Sequence, residues 1–180
     1  MKKSKDIQGW FNYKSTFMFL ADSVSDNGIF VEGGAWLGSS SAFLCDYAGD
    51  RINIFIVDTW KGTPNEIATA HKLATQKDIY PIFLENMGDR KFTSIRKNSL
   101  EAAKDFEDQS CDVVYIDMDH TYEAVKKDIE AWLPKVKTGG YLAGHDYGFK
   151  TVAKAVNEAF PRDKIKTMDG PSWIFKKEPL

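Results

Sequence analysis

The sequence predicts an α/β fold: a mostly parallel sheet with helices on both faces and a C-terminal antiparallel hairpin strand. Three observations predict it. Short apolar runs alternate with longer amphipathic segments, the mark of repeated βαβ units. The strongest runs, Ile29-Phe30-Val31, Ile54-Phe55-Ile56-Val57 and Val113-Val114-Tyr115-Ile116, are continuously apolar. Strands covered on both faces read that way. The tail then changes character, with two short strand-like runs, Lys164 to Met168 and Trp173 to Lys176, around the turn signal Asp169-Gly170-Pro171.

The elements follow in order. Residues 1–27 read as an N-terminal helical segment before the first strand. Ser39 to Tyr47 reads as a helix entered from a glycine loop. Residues 61–90 hold Gly62, Pro64, Pro81 and Gly88 and are the least regular part, a candidate lid or substrate loop. Phe92 to Arg96 and Tyr141 to Ala143 are weaker strands. Thr121 to Leu133 is the best helix: Tyr122, Val125, Ile129, Trp132 and Leu133 recur at helical spacing, and Thr121 suits the N-cap. Pro134 and Gly139-Gly140 end it. Thr151 to Phe160 is a further helix, with Val152, Val156, Ala159 and Phe160 on one side. No repeat or linker interrupts the chain, so a single domain over residues 1–180 is expected.

Composition bounds the function. A chain of 180 residues fits one domain and hardly two. Its net charge of -2 makes no case for a nucleic-acid partner, which would favour a basic face. Lys2, Lys3, Lys5, Lys176 and Lys177 read as solvated termini. Cys45 and Cys111 are too few for a disulfide framework and suit a reduced compartment. No apolar leader opens the chain, and no run approaches the ~18 apolar residues of a membrane span. A cytoplasmic chain with no membrane partner is expected.

The motif Val31-Glu32-Gly33-Gly34-Ala35-Trp36-Leu37-Gly38-Ser39-Ser40 follows a strand and opens a helix. An α/β sheet binds nucleotide-like ligands at such a place. Gly34 and Gly38 let backbone approach a ligand closely. The spacing differs from the G-x-G-x-x-G that cradles a pyrophosphate, and Glu32 would repel one. Glu32 could instead pair with an ammonium group. Asp58 ends the second strong strand, where a carboxylate can accept ribose hydroxyls. The bland alternative is a tight turn and a loop-capping acid, but strand, loop, helix, strand and acid in this order favour a ligand.

The pattern resembles motifs I and II of class I S-adenosylmethionine (SAM) dependent methyltransferases. Val57-Asp58-Thr59-Trp60-Lys61-Gly62, Tyr115-Ile116-Asp117-Met118-Asp119-His120-Thr121-Tyr122-Glu123 and Gly139-Gly140-Tyr141-Leu142-Ala143-Gly144-His145-Asp146-Tyr147 sharpen the likeness. Together they are similar to small bacterial and phage-type methyltransferases, including relatives of antibiotic-sugar O-methyltransferases. The resemblance implies a Rossmann-like methyltransferase fold with a seven-stranded sheet. It implies that Glu32, Gly34, Gly38, Ser39, Asp58, Trp60, Ser99 and Asp117 form the SAM site. Relatives often pair, which leaves a homodimer open.

The likeness extends to Asp117, Asp119, His120, His145 and Asp146 at the ends of two strands. In metal-dependent relatives, Asp117, His145 and Asp146 would hold a divalent metal, Mg²⁺ or Mn²⁺, and Asp119 would be the base. A metal there would orient the acceptor hydroxyl and lower its pKa. The chain has His145 where relatives usually carry an acid. Histidine ligates Mg²⁺ poorly but suits Mn²⁺, Fe²⁺ or Zn²⁺. His145 therefore reads either as a ligand or as a general base. His120 reads as a capping or supporting residue, and Asp119 as base or helix cap.

The resemblance implies methyl transfer to a hydroxyl of a small molecule. A nicotinamide-dependent oxidoreductase shares the fold class, but the glycine spacing and Glu32 argue against it. A base-flipping nucleic-acid methyltransferase would want an amide-proline-aromatic motif where Ile116-Asp117-Met118-Asp119 stands. A SAM-binding protein without turnover is the third alternative. Trp10, Phe11, Tyr13, Phe17 and Phe19 read either as an acceptor pocket or dimer face, or as packing against the sheet.

Overall fold

The computed structural model of the chain describes residues 1–62 and 72–179. Seven strands form one sheet: β1 (Ile29–Gly33), β2 (Asn53–Val57), β3 (Thr93–Ile95), β4 (Cys111–Ile116), β5 (Val136–Gly144), β6 (Ile165–Met168) and β7 (Ser172–Lys176). Their order is β3-β2-β1-β4-β5-β7-β6. The first five run parallel, while β7 lies antiparallel to both β5 and β6. The expected mostly parallel sheet with its antiparallel hairpin is what forms.

The continuous apolar runs have the reason given for them. Successive strand residues face opposite sides. Phe30, Ile54, Ile56, Val113 and Tyr115 enter one core, which also takes Phe17 and Leu20 of α1 (Lys14–Asp22), Leu44 of α2 (Ser39–Ala48) and Phe83 of α4 (Tyr80–Met87). Val31, Val57, Val114 and Ile116 enter the other. There they meet Ala102 of α5 (Ser99–Ala103), Ile129 and Trp132 of α6 (Tyr122–Trp132) and Val156 of α7 (Lys150–Ala159). Each fully buried side chain of this size contributes about 1.5–3 kcal/mol, so both layers are needed to hold the sheet.

α6 begins where Thr121 accepts from the Ala124 amide and ends before Pro134. The N-terminal segment is less helical than expected. Ser4–Asp6 forms a single 3-10 turn, and residues 7–13 run irregularly to α1. α1 draws its cap from the far end of the chain: Asp169, beside the β6–β7 turn, accepts from the Ser15 and Thr16 amides, each at 2.9 Å. Its other end sits over Arg51, whose guanidinium donates to the carbonyls of Ala21 and Val24. Within the irregular stretch 61–90, α3 (Lys72–Gln76) and α4 are helical. Residues 63–71 of that candidate lid lie outside the described residues.

β1 sits between β2 and β4, so the chain reverses its direction of travel across the sheet at the β1–β4 junction. The crevice at the carboxyl ends of the strands opens at such a reversal. The glycine loop leaves β1 there, and Asp117 leaves β4.

Candidate active site

A cavity of about 1060 Å³ occupies this crevice. Two loops meet at its floor. Gly34 has φ +91°, and a Cβ there would lie 1.7 Å from the Asp117 carbonyl oxygen. Neither loop can retreat easily, since the Gly34 amide donates to Val57 at 2.9 Å and the Asp117 amide to Gly33 at 2.8 Å. Gly38, at φ +90°, turns the chain into α2, where a Cβ would come within 3.0 Å of the Phe83 ring. Glycine is required at both for conformation as well as space.

Asp58 holds the loop in shape. One carboxylate oxygen accepts from the Ala35 and Trp36 amides, both at 2.9 Å, and the other from the Trp60 amide at 2.7 Å. A carboxylate has about four acceptor sites, so roughly one remains for a ligand hydroxyl. Burial raises the Asp58 pKa, and the backbone N–H groups pull it back. Trp60, at φ +53° and almost fully buried, donates its indole N–H to Trp36 at 3.0 Å. Ser39 lines the cavity and exchanges hydrogen bonds with Ser4, pinning the N-terminal segment to α2.

Glu32 lies behind the loop. It is 1% exposed and is not part of the cavity wall. Its carboxylate accepts from the hydroxyls of Ser40 and Ser41 on α2, the latter at 2.6 Å. Burial pushes its pKa up to about 7 despite those bonds. Its part in ligand binding runs through the loop and helix it joins, rather than through an exposed carboxylate.

The second group of side chains lines the same cavity. Asp117 ends β4, and its Oδ2 accepts from the Tyr13 hydroxyl at 3.0 Å. His120 Nε2 lies 2.9 Å from Asp146 Oδ2 and 3.5 Å from Asp117 Oδ1. Thr151 at the start of α7 fixes the His120 backbone by donating to its carbonyl at 2.6 Å. Burial opposes charge on His120, but Asp117 and Asp146 outweigh it and lift the pKa to about 10. Among the described residues, Asp117, His120 and Asp146 bring three ligand-type atoms within 4.8 Å of one another.

His145, rather than His120, was the expected third member. Its Nδ1 lies 3.2 Å from Asp146 Oδ2 and 3.9 Å from Asp117 Oδ1. Its ring packs against Tyr13 at 4.4 Å between centroids, and its Nε2 is buried without a hydrogen-bond partner. Asp119 lines the cavity and accepts from the Thr121 amide at 2.7 Å, so it orders the turn into α6 as well. Ser99 follows β3 and also lines the cavity, its hydroxyl accepting from the Trp132 indole at 2.8 Å.

Of the N-terminal aromatics, Trp10, Phe11 and Tyr13 reach the cavity, whereas Phe17 is fully buried against Phe30 and Tyr115. Trp10 and Phe149 are more than half exposed at the cavity wall. Sequence reasoning did not single out Tyr13 as a partner of Asp117, nor Asp128 as a cavity residue. The signal for Asp128 was available: it lies three residues after Val125 and four before Trp132, an acid on an apolar stripe.

A doubly wound sheet in this order, with a glycine loop and strand-end acids at the reversal and an antiparallel strand beside β5, defines a class I SAM-dependent methyltransferase. Residues 31–147 match the model of a methyltransferase domain family, and the chain belongs to that family. It is 32% identical over 142 residues to the uncharacterised protein y4gI of Sinorhizobium fredii (strain NBRC 101917 / NGR234), covering 76% of this chain and 15% of that protein. The chain thus spans a small part of that relative. The O-methyltransferase NovP superposes with a TM-score of 0.65 at 19% identity, over 92% of this chain and 79% of its own. An rRNA methylase from Streptococcus thermophilus superposes with a TM-score of 0.56 at 16% identity, over 91% and 95%. At such identities the likeness shows the fold alone, and the fold serves quite different acceptors. Among the described residues, no helix is long and apolar enough to cross a membrane.

Proposed function

We propose that the chain transfers the methyl group of SAM to a hydroxyl of a small molecule, assisted by a divalent cation held by Asp117, His120 and Asp146. The observation that carries this reading is that the glycine loop with Asp58 and the acid–histidine cluster line one cavity. Gly34, Ser39, Asp58, Trp60, Ser99 and Asp117 would bind the cofactor, with Gly38 shaping the loop and Glu32 bracing it.

SAM supplies an activated methyl group on a sulfonium. The chain must bring the acceptor oxygen into line with it, which is worth much of the rate. Two carboxylates and one imidazole suit Mn²⁺, Fe²⁺ or Zn²⁺ better than Mg²⁺. Such a cation would lower the pKa of an acceptor hydroxyl. Asp119 takes the hydroxyl proton as the new C–O bond replaces the C–S bond. His145, its Nε2 sealed away, serves to hold Asp146 and Asp117 in place. The exposed faces of Trp10 and Phe149 suit a ring-bearing acceptor, such as a sugar or a phenol.

The test is calorimetric titration with S-adenosylhomocysteine and with NADH, followed by methyl transfer to a panel of sugars and phenols with Mn²⁺, Mg²⁺ or a chelator. Micromolar binding of the first ligand, silence toward NADH and Mn²⁺-dependent turnover are expected. Heat with NADH alone would overturn the cofactor assignment. Turnover indifferent to chelation would overturn the metal, and binding without turnover on any acceptor would leave a SAM-binding protein.

A further inference from the structure

The turn Asp169-Gly170-Pro171 forms no part of the cavity wall, yet two segments that carry cavity residues are anchored on it. Asp169 accepts from the Thr16 hydroxyl at 2.6 Å as well as from the two amides that open α1. Gly170, at φ +60°, packs so closely on the preceding stretch that a Cβ there would lie 2.8 Å from the Tyr13 Cβ. The Pro171 carbonyl accepts from the Tyr147 amide at 2.9 Å, one residue beyond Asp146. Tyr13 is thereby seated from behind. It is 4% exposed, and its ring stacks on Tyr115 at 5.4 Å and lies 4.4 Å from the His145 ring. Its hydroxyl is left to donate to Asp117 Oδ2 at 3.0 Å.

Asp117 needs such a partner. Its backbone is fixed, since its amide donates to Gly33 at 2.8 Å and its carbonyl abuts Gly34. The backbone does not fix the rotation of the carboxylate, a broad and roughly two-fold torsion. The Tyr13 bond does. With Oδ2 held, Oδ1 is the oxygen turned to His120 Nε2 at 3.5 Å and His145 Nδ1 at 3.9 Å. We infer that Tyr13 is a positioning residue: by holding Oδ2 of Asp117 it presents Oδ1 to the divalent cation shared with His120 and Asp146. This rests on the cation reading above and deepens it by naming the residue that aims the carboxylate. A phenol suits the task, because it donates one hydrogen bond and carries no charge at neutral pH. A lysine or arginine in its place would compete with the cation for the carboxylate.

The experiment is direct titration of Mn²⁺ into wild type, Tyr13→Phe and Tyr115→Phe, with no acceptor present. Tyr13→Phe keeps the ring and its packing and removes only the hydroxyl. Its Mn²⁺ affinity is expected to fall by about tenfold or more, the usual effect of removing a hydrogen-bond partner from a metal ligand. Tyr115→Phe is the matched control. It also loses a buried hydroxyl, one that meets Ser172 at 3.0 Å, but it leaves the Asp117 bond in place. Its Mn²⁺ affinity is expected to stay within about threefold of wild type. Unchanged or tighter Mn²⁺ binding in folded Tyr13→Phe overturns the inference, as does an equal loss in both variants, which would mark a merely structural role. If thermal melts show that Tyr13→Phe does not fold, Gly170→Ala carries the same comparison, since it displaces Tyr13 from outside the cavity. A wild type that takes up no Mn²⁺ marks failure of the cation reading itself, and the inference falls with it.

Discussion

The buried Glu32 makes a quantitative prediction. Its pKa moves from 4.5 to about 7 on folding because burial disfavours the charge. Between those values the folded state binds the proton more tightly than the unfolded state does. Raising the pH through this window therefore weakens folding. The stabilising contribution is fully present below the unfolded value and lost as the pH rises through the folded one. A shift from 4.5 to about 7 corresponds to about 3 kcal/mol at ~1.4 kcal/mol per pKa unit. Glu32→Gln keeps the shape and can still meet both serine hydroxyls, yet it never ionises. Relative to wild type, the variant should gain up to about 3 kcal/mol between about pH 5 and about pH 8, or roughly 6–12 °C in Tm for a domain of this size. Paired urea or thermal melts across that range cancel the groups both proteins share. A stability difference that stays flat would refute the reasoning. S-adenosylhomocysteine affinity should change less than about threefold, since the carboxylate does not face the cavity.

Gly34→Ala forces a Cβ to within 1.7 Å of the Asp117 carbonyl in a left-handed conformation; we expect a loss of about 3 kcal/mol or more in stability and no measurable cofactor binding, checked by melts and calorimetry. Asp169→Ala removes the acceptor for the Ser15 and Thr16 amides, so stability should fall by about 1 kcal/mol, a loss seen in urea melts. The Asp169 pKa is lowered: burial pushes it up, but the bonds from Thr16 and Ser15 outweigh that. The wild-type advantage should therefore vanish as acid protonates Asp169. Asp117→Ala takes one carboxylate from the cluster and the partner from Tyr13; turnover should fall at least about a thousandfold, and near-normal rates would remove the cluster from the mechanism. His120→Ala should weaken Mn²⁺ binding by about tenfold or more in direct titration, whereas His145→Gln should weaken it less.

The parts of the fold legible in advance were those written in local signals. α6 announces itself by an apolar stripe, a threonine cap and a following proline, all within one stretch of chain. The strands announce themselves because burial on two faces makes their middles continuously apolar, as in Phe30-Val31 of β1, Ile54 to Val57 of β2 and Val113 to Ile116 of β4. The N-terminal segment carried no such period. Trp10, Phe11 and Tyr13 lie on irregular backbone and Phe17 on α1, and only docking decides that Phe17 enters the core while the other three turn to the cavity. Sequence order could place Asp117, His120, His145 and Asp146 at one rim, but not choose between the histidines. That choice depends on how the loop after β4 folds over the loop after β5, with Thr151 of α7 holding His120 in position.

By itself the sequence determined the main strands, the glycine loop and the family, because backbone conformation and two-sided burial constrain residue types locally. Only the tertiary structure decided which way each acid points. Glu32, Asp58 and Asp128 are alike as carboxylates, yet one braces α2, one ties down the loop and one lines the wall beside Ser99. The reason is that a carboxylate goes where hydrogen-bond donors compensate its lost hydration, and those donors are brought to it by the neighbouring helix and loops as the chain packs.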